Sequence, residues 1–67
     1  MKTKFITTED QSGKLYEINC AEIALIEETD SKYKRIITLN VLDENGNQRI
    51  IESSHSIKEL EKKIKEA

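Results

Sequence analysis

The chain of 67 residues has no proline and no tryptophan, one cysteine, two glycines, and only Phe5, Tyr16 and Tyr33 as aromatics. Each shortage excludes something. Cys20 has no second cysteine to bridge, so the disulfide framework of small secreted domains is ruled out and a reducing, cytoplasmic setting is expected. Gly13 and Gly46 sit in separate segments, so no single stretch can form a glycine-rich loop that cradles phosphate. The segment Met1 to Asp10 starts basic but lacks the apolar run of an export signal, and nothing later approaches a membrane span. Neither export nor membrane insertion is therefore expected. A dominant charge is lacking too. Eleven basic and thirteen acidic residues leave a net charge of −2, with the signs interleaved, which gives non-specific nucleic-acid binding little electrostatic help. Without proline, a linker-like tract or an internal repeat, nothing marks a domain boundary, and residues 1–67 read as one domain.

What is present points to an α+β domain. Apolar and charged residues each make up 36% of the chain, a globular composition with a high charged share. Such a length is near the lower limit at which one hydrophobic core holds a fold without disulfides or metal, so backbone pairing or a second subunit must contribute.

Lys4-Phe5-Ile6-Thr7-Thr8 is β-branched and ends in the turn formers Glu9-Asp10-Gln11-Ser12-Gly13, which predicts a strand and a hairpin loop. Lys14 to Asn19 returns as a second strand, with Tyr16 and Ile18 on one face and Leu15, Glu17 and Asn19 on the other. Asn19 can cap one tight turn, and a strand follows from about Ala24 to Glu28. Tyr33 to Leu42 is the longest strand candidate, with Tyr33, Ile37, Leu39 and Val41 on one face and Lys34, Thr38 and Asn40 on the other. Asn45-Gly46 suggests a type I′ hairpin turn, whose two central residues need positive φ. Gln48 to Ser53 then pairs back.

Ser56 and Glu59 have capping-box spacing, so a helix should begin there. Ile57, Leu60 and Ile64 form its apolar stripe, and Glu59/Lys63 and Glu61/Lys65 are expected as i, i+4 ion pairs. The expectation is a small antiparallel sheet of four to five strands with one C-terminal helix packed on one face.

That arrangement leaves a second sheet face, which by alternation carries Ile26, Ile36, Leu42 and one of Ile50 or Ile51. One short helix cannot cover both faces. Either the sheet curls on itself, or this surface meets another chain, with Ile26, Ile36, Leu42 and Ile51 as the candidate interface, or the register slips by one residue and moves these side chains into the core.

Sites for chemistry are scarce. His55 lies among Ser53, Ser54 and Ser56, but loop neighbours rarely form the mutual geometry of a catalytic triad, and small polar residues suit the approach to a helix. Cys20 and His55 lack the companions of a four-ligand metal site, and Cys20 suits a small buried position. Asp43, Asn45 and Asn47 mimic the start of a calcium loop, which fails where Gln48 replaces the required glycine and Ser54 the closing glutamate. Lys32, Lys34 and Arg35 with Tyr33 form a small basic group beside Glu27, Glu28 and Asp30, the composition of a self-neutralising rim. No enzyme activity, cofactor, metal or small-molecule substrate is indicated.

Through Gly13 to Asn19, Ile26-Glu27-Glu28, Ile36-Ile37-Thr38-Leu39 and Glu52-Ser53, the chain resembles the small flagellar and swarming-motility family called FlbD. Similar short chains occur among uncharacterised proteins of bacteria and their mobile elements. The resemblance implies a bacterial cytoplasmic accessory protein without catalytic activity that works through contacts with other proteins or itself. The longer hairpin around Asp43 to Asn47 and the extra charge at Lys32 to Arg35 depart from that family. A second likeness, through Ala24-Leu25-Ile26-Glu27, is to the DNA-binding LytTR domain, which would imply a short DNA-binding regulatory protein. For that role the chain is short and acidic overall.

Overall fold

The computed structural model describes residues 4–67; Met1, Lys2 and Thr3 of the N-terminal stretch read above lie outside the described residues. The elements run β1 (Phe5–Glu9), β2 (Leu15–Asn19), a 3₁₀ turn (Cys20–Glu22), β3 (Ile23–Glu28), β4 (Arg35–Leu42), β5 (Gln48–Ser53) and α1 (Ile57–Glu66). All pairing is antiparallel, and the α+β class is as the periodicity predicts. The strands do not form one sheet: β1 and β2 make a two-stranded sheet, and β3, β4 and β5 a three-stranded one in that order.

The β1–β2 and β4–β5 turns are built alike. Gly46 N–H donates to the Asp43 carbonyl at 3.1 Å and Asp43 N–H to the Asn47 carbonyl at 2.7 Å. Gly46 has φ +81°, and among the described residues no non-glycine residue has positive φ. The expected type I′ turn is therefore corrected to a three-residue loop, a type I turn followed by a left-handed glycine. Its physical reason is Asp43, whose Oδ1 accepts from the amides of Asn45 and Asn47 at 2.8 and 3.0 Å and thereby holds Asn45 at negative φ. Asp10 does the same in the first hairpin, accepting from Ser12 and Lys14 amides at 2.9 and 3.0 Å, with Gly13 at φ +86°. The two five-residue turns are a local repeat that composition alone conceals.

Between the hairpins, Asn19 caps the 3₁₀ turn by accepting from Ala21 N–H at 3.0 Å. Tyr33 lies before β4 and is exposed. The capping box is complete: the Ser56 side chain accepts from Glu59 N–H, and Glu59 accepts from Ser56 N–H. Glu59 turns to the Ser56 cap in place of the expected pair with Lys63. The ion pair on α1 among the described residues is Lys62–Glu66 at 3.9 Å, and not the expected Glu61/Lys65.

The core lies between the sheets and under the helix. Ile6, Ile18, Ile37, Leu39 and Leu60 are buried, and Tyr16, Cys20, Ile23, Ile26, Val41, Ile51 and Ile64 pack around them. The sheets join at one corner, where Ser54 N–H donates to the Glu9 carbonyl at 2.8 Å. The helix α1 contacts β1 and β3, and its Leu60 joins the shared core.

Candidate functional site

Register decides which side of the three-stranded sheet each apolar residue occupies. Ile26 and Ile51 both stand opposite Ile37 on β4, and directly opposed residues project to the same face. Ile37 is fully buried, so Ile26 and Ile51 belong to the core layer. Strict alternation along β3 misplaces Ile26 because the register shifts between Ile23 and Leu25. This bulge puts Ile23 and Ile26, of opposite parity, on one face.

The outer face is the complement. Leu25, Thr38 and Ile50 form one cross-strand row and Glu27, Ile36 and Glu52 the next. Leu25 is 50% exposed, Leu42 63% and Ile50 62%, while Ile36 is half-buried. Of the four candidate interface residues, Ile36 and Leu42 lie on this outer face; Leu25 and Ile50 occupy it in place of Ile26 and Ile51. The bulge is what hid Leu25.

Across the junction of the sheets lies a second cluster, which crosses too much sequence to be read from spacing. The hydroxyls of Thr8 and Ser53 are 2.5 Å apart, and Thr8 Oγ1 lies 2.8 Å from His55 Nδ1. His55 N–H donates to Ser53 Oγ at 3.1 Å. Thr8 and Ser53 are both 1% exposed, so each polar hydrogen needs a partner. One circuit satisfies all three: His55 N–H to Ser53, Ser53 O–H to Thr8, and Thr8 O–H to His55 Nδ1. The circuit fastens β1, β5 and the lead-in to α1.

Other sequence candidates fall apart in space or are already engaged. Lys34 Nζ pairs with Glu52 at 3.0 Å, Arg35 approaches Glu28 at 3.9 Å, and the Arg35 guanidinium donates to the Lys32 carbonyl. The Asp43 carboxylate is turned inward on its own amides. Cys20 is half-buried against the core. Among the described residues, no group of three or more His, Cys, Asp or Glu could hold a metal ion, and no helix is long and apolar enough to cross a membrane. An open groove of about 570 Å³ runs between β1 and α1, lined by Phe5, Ile6, Thr7, Glu59, Lys62 and Lys63 among others.

Two carboxyls are perturbed, both at turns or caps. Hydrogen bonds hold Asp10 below its ordinary value of 3.8, foremost that from the Ser12 hydroxyl, then those from the Lys14 and Ser12 amides and the Tyr16 hydroxyl. Glu59 is held below 4.5 by the Ser56 N–H first and the Ser56 hydroxyl second. Each shift belongs to a structural hydrogen bond. No family model, curated protein or solved structure matches the chain.

Proposed function

We propose that the chain is a non-catalytic protein-interaction module of the bacterial cytoplasm that self-associates through the outer face of its three-stranded sheet. The observation that carries this reading is the set of exposed aliphatic side chains on that face: Leu25 and Ile50 flank Thr38 in one cross-strand row, Leu42 lies beyond a second register shift opposite Gln48, and half-buried Ile36 occupies the adjoining row between Glu27 and Glu52. Exposed aliphatics gathered on one sheet face lose hydration cost when they are covered. A second copy of the same chain is the simplest occupant, because a two-fold axis lying parallel to the sheet, in the plane of contact, sets this patch against itself. The likeness to the flagellar and swarming-motility family points the same way, toward an accessory protein acting by contact.

DNA binding has less support. The basic group at Lys32, Lys34 and Arg35 is partly neutralised by Glu28 and Glu52, so few cations remain to displace counterions from a phosphate backbone.

Sedimentation velocity over a hundredfold range of protein concentration tests the proposal. A dimer that dissociates on dilution, and is abolished by Ile50→Glu, is the expected result. A monomer at every concentration would overturn self-association.

A further inference from the structure

The groove beside β1 exposes a strand edge with unspent hydrogen-bonding capacity. Cys20 N–H donates to the Lys4 carbonyl and Asp10 N–H to the Lys14 carbonyl, at 2.9 and 3.1 Å. Both pairs follow the β1–β2 register, in which Phe5 faces Asn19 and Glu9 faces Leu15. Hydrogen-bonded pairs alternate along an antiparallel ladder, so the even-numbered residues of β1 bond to β2 and Phe5, Thr7 and Glu9 turn their N–H and C=O to the opposite edge. The Glu9 carbonyl is taken there by Ser54. Among the described residues, no side chain or turn amide bonds the backbone of Phe5 or Thr7. Both line the groove, which α1 walls on its far side.

We propose that this edge accepts an extended acidic peptide segment as an added strand, antiparallel to β1. Unpaired backbone donors and acceptors in a row are matched by another polypeptide backbone, which is how strand addition obtains its affinity. Antiparallel pairing is the orientation of every other strand pair in the molecule and the more stable per residue.

The groove wall selects the side chains. Lys62 is engaged by Glu66, while Glu59, also in the groove wall, turns its Oε1 to the Ser56 cap and keeps its negative charge. Among the described residues, Lys63 has no carboxylate within ion-pair distance, although its charge contributes to lowering Glu59. Residues of the incoming strand opposite Phe5 and Thr7 share their outer face, next to the half-exposed Phe5 ring. The alternate residues turn to the helix, where carboxylates meet Lys63. The preferred segment therefore alternates apolar with acidic residues.

The probe is a blocked hexapeptide alternating valine and glutamate, titrated into ¹⁵N-labelled full chain. Saturable shifts at Phe5, Thr7 and Lys63 are expected, with amide exchange at Phe5 and Thr7 slowed about tenfold or more. Valines sit opposite Phe5 and Thr7, so N-methylation of the valines must abolish binding, whereas N-methylation of the glutamates must leave it within about threefold. Replacing glutamate by lysine should weaken binding, and Lys63→Glu should reverse that preference. Equal binding by the valine-methylated peptide, shifts confined to other surfaces, or no saturable binding would each overturn the proposal. None of these readouts depends on the oligomeric state, so self-association can fail without this site failing.

Discussion

Thr8 and Ser53 meet at 2.5 Å across a sequence separation of 45 residues, and their contact is closed on the far side by His55. Thr8 and Ser53 are buried and His55 half-buried, and in the circuit they form each hydrogen has one acceptor. Removing one member leaves another buried and unpaired, a cost of about 1–3 kcal/mol. Thr8→Val and Ser53→Ala should each lower unfolding free energy by that amount in urea titrations. Their double variant should cost less than the sum by about 0.5–3 kcal/mol, the coupling of residues in one network. Additive losses would show that the circuit is not a unit.

Ile50 and Ile51 are adjacent in sequence and opposite in environment. Ile50→Glu places a charge where water already reaches and should change monomer stability by less than about 0.5 kcal/mol. Ile51→Glu places it in the core layer and should cost several kcal/mol. Thermal melts of the two variants decide the register: equal losses would contradict the placement of β5.

Gly13 and Gly46 have positive φ, and a Cβ at either position meets no atom within 4 Å. Any loss on substitution is then backbone strain alone. Gly13→Ala and Gly46→Ala should each destabilise by about 1–2 kcal/mol, and asparagine at the same sites by less. Chemical denaturation of the four variants measures this, and losses that differ widely between the two turns would break the analogy between them.

Acid should weaken the fold through Asp10 and Glu59. Both carboxyls lie lower in the folded chain than their ordinary 3.8 and 4.5. Their contribution is thus fully present above those values and is lost as pH falls through the lower folded ones. Asp10→Asn and Glu59→Gln should flatten the decline of melting temperature between about pH 5 and about pH 2. An unchanged acid slope in both variants would remove these groups from the acid response.

Much of the architecture is written in local pattern. The capping box at Ser56 and Glu59 and the β5 range need only neighbours within a few residues, and both appear where periodicity puts them. Tyr33 fails as a strand residue because Thr29 and Ser31 organise a loop ahead of β4 instead, Thr29 Oγ1 donating to the Lys34 carbonyl at 2.7 Å. Long-range relations are less legible. The bulge at Ala24 shifts parity by one, which exchanges Ile26 for Leu25 on the outer face, and nothing in the local composition announces it. The Thr8–Ser53–His55 circuit spans nearly the whole chain, so only the three-dimensional joining of the sheets assembles it.

The matched turns at Asp10–Lys14 and Asp43–Asn47 bear on the order in which the chain acquires its shape. Each aspartate gathers amides from within four residues, so both hairpins can close locally, on a timescale of roughly 1–10 μs. Bringing them together requires the far longer closure between Thr8 and Ser53, which carries the larger entropic cost. Folding should therefore begin at two nuclei and be limited by their docking. Turn substitutions such as Gly46→Ala will slow refolding, whereas Thr8→Val will chiefly accelerate unfolding.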